Sequence, residues 1–210
     1  DLEIRGAGNI FGKEQHGHIE KVGYDMYVKL LNEEIKEIKG ERIDRKSDVK
    51  LEITLSAYIS EDYIEDGDKR VIYYTRIGEL QTRDELNELI LSLEDGFGET
   101  PQEIKNLCTL AYLRNIAGSF LVKKIVINKF ETLVYLEKTE KIIDERLAER
   151  LDEFNGRLSF DSNVKIKFDL SGTVLERLES LLEFFESALN WLKLFIKLQK
   201  QPQFSWNFMF

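Results

Sequence analysis

The chain has 210 residues, with 30 Lys and Arg against 39 Asp and Glu, and its formal charge at pH 7 is therefore −9. The length is sufficient for one or two domains with a hydrophobic core, and 42% hydrophobic residues with only 2 prolines exclude the disordered and collagen-like classes. The acidic balance also argues against a chain that binds nucleic acid over its whole surface, since such proteins are normally basic.

The cellular compartment is indicated by the cysteine content and by the absence of targeting patterns. The single cysteine, Cys108, cannot form an internal disulfide, and no basic-then-apolar leader opens the chain. No apolar run approaches the roughly 18 residues of a membrane-spanning helix. We therefore expect a cytoplasmic protein without a membrane partner. Because the first residue is Asp1 rather than Met, we also expect a piece of a longer polypeptide.

The first 40 residues are predicted to form a glycine-rich loop and one helix. Residues 1–17 contain four glycines and no apolar period, which is typical of a loop. Over residues 18–39 the apolar positions follow one helical face, and Gly40 stands where a helix would end. The charged stretch 41–48 is the predicted linker to the next domain.

The first half of that domain is predicted to contain a strand and two helices. Apolar and polar residues alternate from Val49 to Leu55, which indicates a strand with one buried face. Capping boxes that begin at Thr82 and Thr100 predict two helices. The tyrosines of the intervening segment stand among acids and are expected to pack in the core rather than to stack on bases: Tyr58, Tyr63, Tyr73 and Tyr74.

The second half is predicted to contain two hairpins and two helices. The hairpins cover residues 122–136 and 158–170, and a helix from Asp144 to Gly156 lies between them. A long amphipathic helix follows from Val174 to Leu189. Since strands and helices do not alternate strictly, the order favours an α+β fold with a mostly antiparallel sheet packed with helices. The predicted domain therefore spans residues 49–189.

The loop of residues 1–17 is the segment with the most distinctive composition. Its glycines permit positive φ and leave Arg5 and Gln15 with little side-chain bulk around them. An arginine fork suits a phosphate group. The spacing, however, is neither the dinucleotide fingerprint nor a Walker loop. By composition alone, a plain glycine-rich connection is favoured over a functional loop.

Three other patterns have simpler structural explanations. His16 and His18 are spaced as in some metal sites, but the chain has no third histidine, so no metal site is predicted. Cys108 lies on the apolar stripe of its helix and is expected to be a buried, unreactive thiol. No nucleophile, base and orienting group can be assembled, and the sequence therefore disfavours catalysis by this chain.

Four separated blocks resemble one family. The pattern R-G-x-G-x-x-x-G-x-x-Q-x-G resembles the translocation motif shared by the RecG helicase and the bacterial transcription-repair coupling factor, Mfd. It contains Arg5, Gly6, Gly8, Gly12, Gln15 and Gly17. Residues 18–34 resemble the coupling factor rather than RecG. Three further blocks are similar to the coupling factor's C-terminal domain: residues 57–64, 69–77 and 93–101.

The resemblance implies a function in transcription-coupled DNA repair. The family's motor uses ATP and Mg²⁺ to translocate on double-stranded DNA, removes stalled RNA polymerase and recruits the repair protein UvrA. By that match, Arg5 and Gln15 would couple ATP hydrolysis to movement, and Gly6, Gly8, Gly12 and Gly17 would shape the loop. The ATPase lobes lie outside this chain, so we expect it to bind no cofactor and to hydrolyse nothing on its own.

The resemblance also implies that residues 49–189 are a regulatory domain that masks the UvrA-binding module of the same polypeptide. We predict that Glu94, Asp95 and Glu99 face this partner. Glu94 and Asp95 fall at the negative end of a helix dipole, where acids are unfavourable, and such placement suggests another use. The alternative is that these acids only solvate the helix end.

Residues 190–210 differ from the rest of the chain. They contain no acid, combine lysines with aromatic residues, and do not resemble the family. We expect this tail to pack on the domain or to mediate self-association. The alternative function for the whole chain is a DNA-contacting module that uses Arg5 and the basic tail.

Overall fold

The computed structural model describes residues 49–137, 145–160 and 164–199. The predicted loop, helix and linker of residues 1–48 lie outside these ranges, as do residues 200–210 of the predicted tail. The chain divides into two compact units, Asp1–Ser119 and Phe120–Phe210, which we call unit 1 and unit 2. Both units contain strands and helices, and the predicted α+β class is confirmed.

Unit 1 contains one strand and three helices in its described part. They are β1 (Lys50–Ile53), α1 (Gly67–Gly78), α2 (Arg83–Phe97) and α3 (Gln102–Gly118). The predicted strand is confirmed, although it is shorter than the alternating pattern. The capping box of α2 is also confirmed, because Glu85 N donates to Thr82 Oγ1 at 3.2 Å and Thr82 N donates to Glu85 Oε2 at 3.2 Å.

The predicted capping box at Thr100 is wrong, although the helix that it announced is present. Pro101 occupies the cap position of α3 and no side chain caps the helix. Thr100 is buried, and its hydroxyl lies 3.3 Å from the Tyr63 hydroxyl instead. The Thr100 hydroxyl therefore pairs with Tyr63, which is distant in the sequence, instead of with a backbone N–H of its own helix. The α3 helix is buried on all sides from Asn106 to Leu113 and does not carry the single apolar stripe expected from its sequence.

The α1 helix was not anticipated from the sequence. Asp66 caps it by accepting hydrogen bonds from Asp68 N at 2.9 Å and Lys69 N at 3.1 Å. Its buried residues are Arg70, Tyr74 and Ile77, at the spacing i, i+4, i+7. Because this buried stripe includes an arginine and a tyrosine, an apolar pattern of helical period does not reveal it.

Unit 2 is an antiparallel sheet with a long helix on one face. Its elements are β2 (Val122–Ile127), β3 (Thr132–Leu136), α4 (Glu145–Ala148), β4 (Gly156–Phe160), β5 (Val164–Phe168) and α5 (Val174–Gln199). All three strand pairs are antiparallel, in the order β2-β3-β5-β4. The two predicted hairpins are therefore confirmed.

The core of unit 2 lies between one sheet face and α5. Phe184 packs edge-on against Phe168, with ring centroids 4.9 Å apart, and Phe185 packs against Phe120 at 5.5 Å. The fully buried residues of this core also include Ile125, Ile127, Val134, Ile166, Leu178 and Leu181. Burial of such side chains contributes about 1.5–3 kcal/mol each to folding.

The predicted helix from Asp144 to Gly156 is wrong in its extent. Asp144 lies outside the described residues, and α4 ends at Ala148, after which the chain turns. Asn155 has a φ of 52°, and Gly156 N then donates to Leu151 O at 2.7 Å as β4 begins. A Cβ on Gly156 would lie 2.8 Å from Leu151 Cδ2 and 3.1 Å from Phe168 Cε1, so a larger residue would displace these side chains, and close packing favours glycine here.

The last helix is longer than predicted. It continues without a break through Asn190 to Gln199. The first ten residues of the predicted tail are thus helical.

Candidate partner-binding surface

The sequence blocks 57–64 and 69–77 are joined by hydrogen bonds in unit 1. Ile59 N donates to the Tyr74 hydroxyl at 2.7 Å, and this bond is buried. Arg70 Nη1 donates to Ile64 O at 2.7 Å and to Glu65 O at 3.0 Å. The irregular segment before α1 therefore takes its shape from two side chains of α1.

Arg70 is a buried cation with a structural role. Only 4% of the residue is exposed, and its Nη2 forms an ion pair with Glu61 Oε1 at 3.0 Å. A buried guanidinium is tolerated when charge-assisted hydrogen bonds replace its hydration, and two carbonyls and a carboxylate do so here. Arg70 therefore holds the fold of unit 1 and is not available to a ligand.

Tyr63 connects the first block to the third block, residues 93–101. Its hydroxyl lies 3.0 Å from Gly98 O and 3.2 Å from Leu93 O. Because the single hydroxyl hydrogen is used for these carbonyls, the Thr100 hydroxyl acts as donor to Tyr63 Oη at 3.3 Å. Tyr63 thus fixes both ends of the connection between α2 and α3.

The third block also meets the second block through aromatic rings. Phe97, in the last turn of α2, packs against Tyr63 at 5.7 Å and edge-on against Tyr73 at 5.6 Å. The Arg76 guanidinium lies 5.3 Å from the centroid of the Tyr73 ring. Phe97, Tyr63 and Tyr73 are all half-buried, so one side of this cluster remains accessible to solvent.

The predicted partner residues flank Phe97 in the sequence. Glu94 and Asp95 lie in the last turn of α2, as predicted, and Glu99 follows the helix. Asp95 and Glu99 are exposed, whereas Glu94 Oε1 stands 3.8 Å from Lys105 Nζ. The last turn of α2 contains no basic residue to offset the acids. We call Glu94, Asp95, Phe97 and Glu99 the α2 corner.

The backbone of the α2 corner is held by glycine. Gly98 N donates to Glu94 O at 3.0 Å and ends the helix with a φ of 87° and a ψ of −167°. This combination of φ and ψ is accessible almost only to glycine. The corner therefore combines a turn that depends on glycine, hydrogen bonds from Tyr63, and exposed acids within one short segment.

The other residues considered in the sequence analysis lie either outside the described ranges or in the core. Arg5, Gln15, Gly6, Gly8, Gly12 and Gly17 lie outside the described residues, as do His16 and His18. Cys108 is fully buried, and burial raises the pKa of its thiol to about 12, so the prediction of a buried, unreactive cysteine is confirmed. Within the described ranges, no group of three or more His, Cys, Asp or Glu is placed to hold a metal ion.

Sequence reasoning missed three residues that organise this surface: Tyr63, Arg70 and Phe97. Tyr63 and Phe97 stand 34 positions apart, and no local period connects them. Their positions within the blocks 57–64 and 93–101 were the only indication of a shared location. Of the predicted core tyrosines, Tyr74 is buried, whereas the other three are half-buried.

The fold and the joined blocks belong to one known class of domain, whose matched range includes parts of both units. The model of the TRCF domain matches residues 53–147, a range that includes the α2 corner and all three blocks that form it. The transcription-repair-coupling factor of Bacillus subtilis is 31% identical over 207 residues, which are 96% of this chain and 17% of that protein. That of Borreliella burgdorferi is 30% identical over 193 residues, 92% of this chain and 17% of that protein.

A solved structure supports the same assignment at the level of fold. The crystal structure of the C-terminal domain of a transcription-repair coupling factor superposes with a TM-score of 0.60 and 24% sequence identity, covering 74% of this chain and 97% of that one. The chain spans about 17% of the length of the curated relatives it matches. It therefore carries a TRCF domain and corresponds to the C-terminal region of a transcription-repair coupling factor. In the part of the chain that the structure covers, no helix is long and apolar enough to cross a membrane.

Proposed function

We propose that this region is a regulatory, autoinhibitory element, whose TRCF domain docks on the UvrA-binding module of the same polypeptide and masks it. The single observation that carries the proposal is the α2 corner. There, the exposed acids Asp95 and Glu99 stand two residues before and after a half-buried phenylalanine, on a hydrogen-bonded scaffold. No catalytic group of this chain is needed for such a role.

The composition of the α2 corner is that of a protein-binding surface. Interfaces are enriched in aromatic residues at their centres and polar at their rims. Phe97 supplies the aromatic centre, and Asp95 and Glu99 supply a rim that selects a basic partner. The acids in the last turn oppose the helix dipole at a cost of about 0.3–1 kcal/mol each, and a basic partner side chain would relieve that cost.

The intact protein, by its family relationship, is proposed to be an ATP- and Mg²⁺-dependent translocase of the bacterial cytoplasm. Its partners would be double-stranded DNA, RNA polymerase and UvrA. Arg5 and Gln15, with Gly6, Gly8, Gly12 and Gly17, would form the end of its translocation motif. Residues 1–40 would then belong to the motor, 41–48 would be a linker, and 49–189 would carry the regulation.

Charge reversal in the full-length protein tests the proposed masking. We expect Glu94→Arg/Asp95→Arg to weaken docking and to raise the affinity for purified UvrA, measured by isothermal titration calorimetry. Typical coupling energies correspond to about 5- to 150-fold. Arginines are favourable at a helix C-terminus, so the variant should fold normally.

The matched control reverses two exposed acids elsewhere in unit 1. Glu65→Arg/Glu88→Arg makes the same change in net charge but leaves the α2 corner intact. An equal rise in UvrA affinity in both variants, or no change in the first, would contradict the role of the α2 corner. The unfolding temperatures of both variants should be compared, so that loss of the fold is not mistaken for unmasking.

A further inference from the structure

The sheet of unit 2 presents a basic face on the side opposite its core. Residues that stand directly opposite one another in an antiparallel pair share a face. The register places Lys124 opposite Tyr135, Tyr135 opposite Lys165, and Lys165 opposite Ser159. The neighbouring row contains Val126, Leu133, Lys167 and Arg157.

Four cations and one aromatic ring therefore lie on one surface, across all four strands of unit 2. We call Lys124, Tyr135, Arg157, Lys165 and Lys167 the outer sheet face. Arg157 and Lys167 are exposed, and the other three are half-buried. Lys124 Nζ lies 4.6 Å from the centroid of the Tyr135 ring, which holds that ammonium group at the centre of the face.

Among the residues that the structure describes, the acids of this face stand at the ends of strands. Glu131 precedes β3, Glu137 follows it, and Asp169 follows β5. Glu137 Oε1 lies 3.6 Å from Lys123 Nζ and is therefore partly neutralised by a lysine of the adjacent strand. The central rows contain cations, apolar residues, Tyr135 and Ser159.

The acidic balance of the chain does not extend to unit 2. Residues 49–119 contain 7 basic and 14 acidic side chains, a formal charge of −7, whereas residues 120–210 contain 14 of each. The argument from net charge against nucleic-acid binding therefore applies to unit 1 but not to the outer sheet face. A local basic patch is what determines binding to a polyanion.

We propose that the outer sheet face binds a single-stranded nucleic acid, with its cations on the phosphates and Tyr135 beside a base. Lys165 and Lys167 are two positions apart on one strand, which separates their Cα atoms by about 6.8 Å, and adjacent strands are about 4.8 Å apart. A sheet face with an aromatic residue among cations is a surface on which a flexible strand lies flat. This proposal goes beyond the masking role and does not depend on it.

A nucleic acid explains the face better than an acidic peptide does. A peptide with acidic side chains would use the four cations but would gain little from an aromatic ring at the centre of the face. A base has a π surface that pairs with Tyr135, and its phosphates are always charged. Both features of the face are therefore used by one ligand.

Binding is tested on the 210-residue chain with a fluorescein-labelled oligothymidylate of about 12 nucleotides, a length within the usual site sizes. Fluorescence anisotropy at increasing KCl concentrations gives the salt dependence of the association constant. If all four cations contact phosphates, the slope of log K against log[KCl] should approach about −3, at roughly −0.7 for each contact. An oligouridylate of the same length distinguishes RNA from DNA as the source of the phosphates.

Substitutions locate the site on the sheet. Arg157→Gln/Lys167→Gln should reduce the association constant on the order of tenfold at about 0.1 M KCl and reduce the slope by about 1.4. The control Lys69→Gln/Lys129→Gln removes the same charge from exposed positions outside the face and should leave the slope unchanged. Tyr135→Leu should weaken binding on the order of tenfold without changing the slope, because stacking releases no counterions.

Three results would overturn the proposal. They are the absence of salt-dependent binding by the unchanged chain, an equal loss in the Lys69/Lys129 control, and competition by polyglutamate that matches the unlabelled oligonucleotide. The last result would assign the face to an acidic protein instead. Should Arg157→Gln/Lys167→Gln fail to fold, Lys124→Gln/Lys165→Gln tests the other row, and unchanged binding by that variant would also overturn the proposal.

Discussion

Tyr63 and Arg70 order a part of unit 1 that has few regular hydrogen bonds of its own. The segment between β1 and α1 forms neither helix nor strand, apart from a short turn. Its backbone carbonyls at Ile64 and Glu65 are satisfied by Arg70, and Tyr63 reaches from this segment to the end of α2. Single side chains thus provide what a ladder of backbone bonds provides elsewhere.

Removal of the Tyr63 hydroxyl tests this role. We expect Tyr63→Phe to lower the free energy of unfolding by about 1–2 kcal/mol, because Gly98 O and the Thr100 hydroxyl lose a common partner. Urea denaturation followed by circular dichroism measures the change.

Tyr73→Phe is the matched control, because the Tyr73 hydroxyl makes no hydrogen bond with the residues that the structure describes. It should change the stability by less than about 0.5 kcal/mol. Equal effects in the two variants would show that the Tyr63 hydroxyl has no special role.

At the scale of elements, apolar periodicity and capping residues predicted whether a helix or strand is present better than they predicted where it begins and ends. The α2 helix was predictable because Thr82 and its apolar stripe agree with the tertiary structure. The α1 helix was not, since its buried face contains Arg70 and Tyr74. Thr100 looked like a cap but is bonded to Tyr63, and the turn before Gly156 depends on contacts with Leu151 that no local pattern reveals.

Two glycine-to-alanine substitutions at the end of α2 should change the stability of the protein in opposite directions. Gly98→Ala should destabilise the protein by about 1–3 kcal/mol, because its φ of 87° is strained for any residue with a Cβ. Gly96→Ala should stabilise it by about 0.5–1 kcal/mol, since this position is helical and a Cβ there meets no atom within 4 Å.

Thermal unfolding of both alanine variants measures the two effects. A stabilising Gly98→Ala substitution would contradict the geometry of the α2 corner. A destabilising Gly96→Ala substitution would mean that the last turn of α2 is not helical in solution.

The start of α5 supplies a prediction about pH. Thr173 N donates to Glu176 Oε2 at 2.7 Å, the Thr173 hydroxyl donates to the same oxygen at 3.0 Å, and Glu176 N returns a bond to Thr173 Oγ1. These hydrogen bonds lower the pKa of the Glu176 carboxyl below its ordinary value. Because the folded-state pKa is the lower one, the stabilisation is present above the unfolded-state pKa and is lost as the pH falls through the folded-state pKa.

NMR titration of the side-chain carboxyls measures this effect directly. Glu176 should titrate below the ordinary range of a glutamate carboxyl, and Thr173→Ala should bring the Glu176 pKa back towards its ordinary value. The same Glu176 titration curve in the unchanged protein and in Thr173→Ala would contradict the capping geometry.

At the scale of the whole molecule, the sequence predicted the α+β class, both hairpins and the family. It did not predict the basic face of unit 2, because that face exists only through the register of four strands. Lys124 stands more than 30 positions before Arg157 and Lys165, and each looks like an ordinary solvent-exposed residue of its own strand. The overall acidity of the chain concealed the face further, since net charge averages over both units.

Because Cys108 is buried, its reaction with a thiol reagent can measure how often unit 1 opens transiently. With its side chain fully enclosed and its thiol pKa raised to about 12, the sulfur should be inert to thiol reagents while α3 is packed. Every labelling event therefore counts one opening of unit 1, and the labelling rate reads the free energy of that opening without any introduced probe. Mass spectrometry of the labelled 210-residue chain, whose one cysteine is Cys108, measures this rate.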